Sequence, residues 1–494
     1  MATQLRNLFG IGQCVSPKYV PNSYCGGPGQ RLLWHSMHRH GRSIVIRDPV
    51  WNTIRLDAVA ASIVDTAPFQ RLRYIRQLGL AHLVYPGATH TRFDHAVGVY
   101  HLAVRAIRIL KSGPALPPEA WEGARLIPYA ALLHDIGHYA FSHALEELEP
   151  ERIAGDHEEM SALFFESPEL RAALASLGTN APGEIFRIIR GEGDTALRGL
   201  VSGSLDLDKM EYLRRDARFC GVPYGEVDAE RLLQGLAVLQ DPVTGHWEVG
   251  VRAKSLSALE SLLFAKYQMF RNVYWHHAVR AATGLYKRIV EMAVEARILS
   301  PLDLIGPTDE ELLFELRQRA RSGSGDVAER LSRRWLPALK DRKLPKRAAE
   351  IPAWQLEERT LPEWVSGDTA EKRHWEDGVA AELGLAPGEV ILDFPVTKAM
   401  FQLDVLVDRN GRTVRLGRKG IPGLIDLPKL AEELHRTARV LRLFTFERRE
   451  VDPEWLLDRL AERRPAGKSL TGTTPRSETT LSGTGNVCSG GGRK

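Results

Sequence analysis

Ala130-Ala131-Leu132-Leu133-His134-Asp135-Ile136-Gly137-His138 is an apolar helical run that ends in two adjacent metal-ligand residue types. Neighbours on an α-helix project about 100° apart, so an imidazole and a carboxylate in tandem can flank one ion lying against the helix end. Two ligands do not hold a catalytic ion. His95, in Thr91-Arg92-Phe93-Asp94-His95 at the start of the preceding helical run, is a third candidate, and Asp208, in Ser204-Leu205-Asp206-Leu207-Asp208-Lys209, is a fourth. Asp208, Tyr212 and Asp216 follow at i, i+4 and i+8, which puts ligand, ring and second carboxylate on one helix face. Two imidazoles and two carboxylates make a mixed N/O set suited to a divalent ion such as Mn, Mg, Fe, Zn or Ni. Such an ion clamps phosphate oxygens and activates water, but a leaving oxygen still needs a proton. His138, His143 and His157 stand shortly after the ligand pair as donors.

Outward from this stretch the pattern is helical. Ile63, Phe69, Leu72, Ile75 and Leu78 recur at the spacing of an apolar helix face, predicting a helix from about residue 57. Further helices are expected from Phe93 to about Leu110 and from about Trp121 to His134, and the chain reads as all α to about residue 298. After Pro301 it becomes strongly charged, from Glu310 to Arg334 and from Lys340 to Arg347, and is expected to form solvated helices or linker. The period changes again at Val390 to Leu392 and at Phe401 to Val407. There Asn410-Gly411, between apolar runs, signals a hairpin, because both central positions need positive φ. A helix around Pro428 to Ala438 and a strand around Val440 to Phe446 complete a small module. The expectation is a mainly α protein: residues 1–45 poorly ordered, 46–300 a helical catalytic domain, 301–465 an accessory α/β region, and 466–494 a disordered Gly/Ser/Thr tail.

Lys plus Arg number 66 against 62 for Asp plus Glu in 494 residues, so no global charge points to nucleic acid or membrane. No apolar run approaches the roughly 20 residues of a membrane helix, and residues 1–12 do not have the basic and apolar regions of a signal peptide. Cys14, Cys25, Cys220 and Cys488 form no framework, and a reduced cytoplasmic location is expected. The cluster His35, His38 and His40 reads as part of a solvated tail rather than a metal site.

His95, His134-Asp135 and Asp208 resemble the H…HD…D signature of the HD superfamily of metal phosphohydrolases. More narrowly, Asp65 to Gly79, Tyr85 to His95, Phe141-Ser142-His143, Asp156-His157-Glu158 and Asp208 to Asp216 resemble the deoxynucleoside triphosphate triphosphohydrolases. The likeness is strongest to the vertebrate members that carry a sterile-alpha-motif domain, which is not read ahead of residue 46 here. It spans roughly residues 46 to 460 and implies an HD-domain helical core with His95, His134, Asp135 and Asp208 on the metal. It further implies His138, His143 and His157 as catalytic histidines, with Arg92 and Lys209 on the triphosphate. His143 would protonate the departing sugar 5′ oxygen as water attacks the α-phosphorus. Gln77 and Asp216 would contact the 3′ hydroxyl, while Leu78 and Tyr212 crowd the 2′ side. Lys266 and Tyr274 belong to the same substrate set, and Arg271 also fits. Asp65, Gln70 and Arg73 match a separate guanine-reading site, implying activation by dGTP or GTP and assembly into a homo-oligomer. Lys266 replaces an arginine, Phe270 a histidine and His277 a lysine of the vertebrate pattern, which bears on base preference and effector choice.

Two other classes fit parts of the sequence. One is an HD phosphohydrolase for a monophosphate, a cyclic nucleotide or an alarmone. The other is a sensor that binds nucleotides or single-stranded nucleic acid without turnover, for which the basic stretch Arg342 to Arg347 speaks and the three histidines do not.

Overall fold

The computed structural model describes residues 43–113, 116–356, 361–367, 370–395, 404–417 and 426–461. The His35, His38 and His40 cluster, three of the four cysteines, Phe401 and the Gly/Ser/Thr tail lie outside the described residues. The chain opens with a hairpin of β1 (Ile44–Asp48) and β2 (Asn52–Leu56), followed by helix α1 (Ala58–Val64). The single helix expected from residue 57 to 78 is corrected here to short pieces. Thr66 and Pro68 restart the chain as a four-residue helix and a 3-10 turn, and Ile75 is extended. Proline lacks the donor that would bond back across this break. The extended segment instead pairs with the approach to the next helix: Gln77 N donates to His90 O (3.0 Å) and Arg92 N to Ile75 O (2.9 Å).

Helix α2 (Arg92–Lys111) starts at a capping box, in which Thr91 Oγ1 accepts from Asp94 N and the Asp94 carboxylate accepts from Thr91 N. This satisfies two of the donors that a helix start leaves open. Phe93, Ala96, Val97, Val99, Tyr100, Leu102 and Ala103 are all buried, so α2 is enclosed on most sides and forms the centre of the largest core. Helix α3 (Ile127–Leu133), shorter than expected at its start, packs on α2 through Ala130 and Ala131 and delivers His134 at its end. Helix α4 (His157–Phe165) crosses Gly137, where a Cβ would meet His157 O at 2.1 Å and Ser161 N at 2.5 Å. Only glycine permits that approach. Helix α5 (Leu207–Cys220) is capped by Asp206, which accepts from Lys209 N, and contains Asp208, Tyr212 and Asp216 as expected.

The all-α reading to residue 298 fails at residues 236–252, where β3 (Leu236–Gln240) and β4 (Trp247–Arg252) form a hairpin. Helices α6 (Leu256–Met269) and α7 (His277–Glu295) follow, joined by a π-helical turn over Phe270–Tyr274. The charged region after Pro301 is not linker. In helix α8 (Asp309–Ser322), Leu312, Leu316 and Ala320 are buried, and Lys346 opens strand β5 (Lys346–Pro352). Helix α9 (Ala370–Glu382) and β6 (Val390–Asp393) precede the Asn410-Gly411 hairpin of β7 (Val405–Arg409) and β8 (Arg412–Leu416). Asn410 and Gly411 have φ of 56° and 84°, as the turn requires. Helix α10 (Leu427–Ala438) and β9 (Val440–Thr445) match the expected elements.

The C-terminal module is not one sheet. β5, β9 and β6 form a three-stranded sheet, whereas β7 pairs in parallel with β4, giving a four-stranded sheet β3-β4-β7-β8 that ties residues 405–416 to the preceding half. The protein is mainly α, with these strands at its edges. Among the described residues no helix is long and apolar enough to cross a membrane.

Gly98 is the closest point between α2 and α5: a Cβ there would lie 2.2 Å from Glu211 Oε1. Replacing a helical glycine by alanine is worth up to about 1 kcal/mol of propensity, but overpacking a core contact costs about 1–3 kcal/mol. Gly98→Ala is therefore expected to destabilise on balance, read as a lower Tm, and to lower the metal retained after purification.

Candidate active site

Four side chains from three separated segments meet at the crossing of α2, α3 and α5. His95 Nε2 lies 2.9 Å from Asp208 Oδ1, 3.3 Å from His134 Nε2 and 3.6 Å from Asp135 Oδ2. His134 Nε2 lies 3.3 Å from Asp135 Oδ1 and 3.8 Å from Asp208 Oδ1. Bonds of about 2.0–2.2 Å to a shared divalent ion put its ligand atoms about 3–4 Å apart, so the set fits such an ion. Both imidazoles are oriented for it. His134 Nδ1 donates to Ala131 O (2.8 Å) and His95 Nδ1 to Glu211 Oε2 (2.7 Å), leaving each Nε2 free to ligate. Among the described residues no cysteine joins this group, and its N and O donors suit Mn, Fe, Zn or Mg.

Glu211 is a residue that the sequence reading missed, although it stands three residues after Asp208 and so one turn along the same face. Its other oxygen accepts from Trp51 Nε1 (2.9 Å) and Arg215 Nε (2.8 Å), and Arg215 Nη2 also reaches Asp48 Oδ2 (2.9 Å). Burial opposes ionisation of Glu211, but Arg215 and His95 hold its carboxyl down at about 2. The β1–β2 hairpin, through Asp48 and Trp51, thus backs the metal set.

Beside this set His138, His143 and His157 gather around Glu146, a second residue the sequence reading missed. Glu146 Oε2 accepts from His143 Nδ1 (2.9 Å) and Oε1 from His157 Nδ1 (2.9 Å). The rings of His138 and His157 stack at 4.3 Å, and that of His143 stands edge-on to His138 at 4.6 Å. His138 Nε2 reaches Asp135 Oδ1 (3.0 Å), so Asp135 joins the two groups. Burial and the Arg92 cation push His138 well below the usual histidine range, whereas His157, against its burial, is raised to about 9 by Glu146. His143 is 61% exposed at the mouth of the group while His138 is fully buried. The turn that presents His143 holds Phe141 and Ser142 at φ of 59° and 58°, an unfavourable left-handed pair. Phe141 N is fixed by Asp309 Oδ1 (2.7 Å), and Ser142 Oγ donates to Arg76 O (2.7 Å).

The remaining candidates line the approach. Arg92 pairs with Asp135 (2.6 Å) and Ser142 Oγ (3.0 Å), but its buried Nη2 has no hydrogen-bond partner. Lys209 Nζ is turned to Gly203 O (2.9 Å) and to Asp206. Lys266 is buried, and burial beside Lys209 pushes its amine down to about 8. Gln77 is buried with Oε1 unpartnered. Leu78 and Tyr212 are half-buried. Asp216 accepts from His90 Nε2 (2.7 Å) and Tyr274 OH (2.6 Å), and the Tyr212 and Tyr274 rings are 6.4 Å apart. His90 is the third residue absent from the sequence reading. Away from these, Gln70 Oε1 accepts from Arg73 Nε (2.8 Å), Arg73 lies over the Phe93 ring at 3.4 Å, and Asp65 is exposed.

Residues 92–197 match the HD domain family, and residues 227–421 match the HD associated region. The chain is an HD-domain protein. Across the matched HD domain and α5, His95, His134 and Asp208 form a group that could hold a metal ion. An uncharacterized protein of Methanocaldococcus jannaschii is 35% identical over 55% of this chain and 55% of its own length. The human deoxynucleoside triphosphate triphosphohydrolase SAMHD1 is 28% identical over 47% of this chain and 42% of its own. The chain spans about half the length of the curated relatives it matches. A solved structure of a hypothetical protein from Aquifex aeolicus superposes with TM-score 0.60 at 26% identity, covering 82% of this chain and 96% of that one.

Partners behind a metal ligand typically carry about 10–100-fold in affinity. Glu211→Gln keeps the shape but not the charge that orients His95, and is expected to weaken divalent-ion binding by that range in competition with a chromophoric chelator. An unchanged affinity would remove Glu211 from the metal's support.

Proposed function

We propose that this HD domain hydrolyses deoxynucleoside triphosphates to the deoxynucleoside and inorganic triphosphate. The observation that carries this reading is the pairing of the metal set with two buried polar atoms around it, Gln77 Oε1 and Arg92 Nη2, that have no hydrogen-bond partner among the described residues. Buried polar atoms are nearly always bonded, which supports a polar ligand at these two. The name of SAMHD1 supports a deoxynucleoside triphosphate as that ligand.

His95, His134, Asp135 and Asp208 would hold a divalent ion, which would supply charge for the phosphates and activation of water. Arg92 Nη2, Lys209 and Lys266 face the triphosphate. The 3′ hydroxyl donates to the Asp216 carboxylate, which His90 and Tyr274 orient, and Gln77 contacts the same hydroxyl. Leu78 and Tyr212 close the 2′ side, where an added hydroxyl finds no partner. Water adds at the α-phosphorus, the bond to the sugar 5′ oxygen breaks, and His143 gives that oxygen its proton. Being exposed, His143 recovers a proton from solvent. His157 and His138 hold the cluster, Glu146 orienting both His143 and His157. Residues 46–300 supply these side chains and residues 301–465 brace them. Asp65, Gln70 and Arg73 read the guanine of dGTP or GTP, which activates a cytoplasmic homo-oligomer.

The test is product identification. The protein is incubated with each of the four dNTPs, with and without GTP or dGTP, in Mn, Mg or Fe. Deoxynucleoside plus inorganic triphosphate is expected, while orthophosphate or a linear monophosphate assigns the site to another nucleotide. His143→Ala is expected to lower kcat by about 10²–10⁴-fold with metal content unchanged, and normal turnover would remove His143 as the donor. Leu78→Ala is expected to narrow discrimination against ribonucleotides by about 10-fold, measured as the ratio of kcat/KM for dNTP and rNTP.

A further inference from the structure

The residue after Glu146 leads out of the site. Glu147 is gripped by two cations of α7: Arg280 Nη1 and Nη2 reach its two oxygens at 2.8 and 2.9 Å, and Lys287 Nζ reaches Oε2 at 3.0 Å. Arg280 is itself buried, and the adjacent Nε–Nη2 edge of its guanidinium holds Asp393 of β6, with Nε 3.1 Å from each carboxylate oxygen. One planar fork thus spans two carboxylates, one on the histidine turn and one on the C-terminal three-stranded sheet. A second tie runs alongside it: Arg373 of α9 bonds Glu291 Oε1 (2.7 Å) and Glu149 Oε2 (3.3 Å).

Stability alone does not account for this arrangement. A buried ion pair is often no better than apolar packing of equal volume. The turn it grips, however, carries the left-handed pair Phe141 and Ser142, and such a conformation persists only where the surroundings hold it. Asp309 fixes that turn before His143, and Glu147 fixes it after Glu146.

We propose that Arg280 is a positioning residue that sets the His143–Glu146 turn from the C-terminal sheet, through Glu147 on one side and Asp393 on the other. This rests on the reading of His143 and His157 as catalytic. Asp393→Asn and Glu147→Gln cut the link at either end with little change of shape, and Arg280→Lys keeps the charge but not the fork.

In the metal-loaded full chain, each variant is expected to lower kcat by about 10- to 100-fold, the scale of a small misplacement of reacting groups. KM and metal content should stay within about two-fold. Hydrogen–deuterium exchange should rise in peptides spanning residues 141–152 and not in those of α2. The double variant Glu147→Gln/Asp393→Asn should cost no more than the worse single one, because both cut one link. Unchanged loop exchange, additive losses, or a kcat loss accompanied by lost metal or lost α2 protection would each overturn the proposal. Should the wild-type chain hydrolyse no dNTP, the substrate reading falls, and loop exchange in the same variants still decides whether the sheet holds the turn.

Discussion

His95 has each ring nitrogen facing a carboxylate of the same helix, Asp208 at Nε2 and Glu211 at Nδ1, three residues apart on α5. About one helical turn separates those carboxylates, and both contacts form only if α5 lies directly against α2. Gly98 makes that approach possible, and Trp51 with the Asp48–Arg215 pair keeps Glu211 in place behind it. The consequence is electrostatic. Asp135, Asp208 and Glu211 bring three carboxylates into one buried region, where Arg92 and Arg215 answer two of them. Burying charges is tolerable only when they are paired or coordinate a metal. A divalent ion at the two Nε2 atoms would complete the balance.

Asp135 divides the site into two populations of histidine. On one side Glu211 and Ala131 O bond the Nδ1 atoms of His95 and His134 and turn each Nε2 toward the other. On the other, His138, His143 and His157 share Glu146 and run from fully buried to largely exposed. His138 and His157 are stacked yet pushed in opposite directions, the first by burial and Arg92, the second by Glu146. Neighbouring groups whose environments separate their protonation are the usual basis for dividing donor and acceptor roles. The close passage of α4 over Gly137 is what makes His157 a neighbour of His138 at all.

The parts of this arrangement that were legible in the sequence are those set by local rules. The capping box at Thr91, the Asp208–Tyr212–Asp216 face and the Asn410-Gly411 turn each follow from spacing within one element. Glu211 obeyed the same helical geometry but sits at i+3, and a reading at i+4 and i+8 passes over it. The pieces from residue 57 to 78 imitate a helix because Ile63, Phe69, Leu72 and Ile75 are all buried, in three different local conformations, against one core. Burial periodicity does not report which backbone carries it. The β3–β4 hairpin escaped because its stability depends on a parallel partner, β7, more than 150 residues away. Asp48 and His90 are likewise defined only by what the folded chain brings to them.

Charge patterning misled for a related reason. The region after Pro301 has the composition of a solvated surface, and many of its residues are exposed, yet Asp309 is fully buried and serves two backbone amides, those of Arg76 and Phe141. Asp393 and Glu376 in the C-terminal module are buried in the same way and meet Arg280 and Arg288 of α7. Such carboxylates are indistinguishable in sequence from those that only keep a surface soluble. Their placement follows from where the histidine turn needs to be held. The turn is strained and its His143 is exposed, so it is not packed from that side, and its support comes from behind, from α7, α8 and the sheet of β5, β9 and β6. On this view the accessory region and the HD core are one mechanical unit joined by charge. The histidine turn is then the element through which any displacement of that sheet reaches the His138, His143 and His157 group.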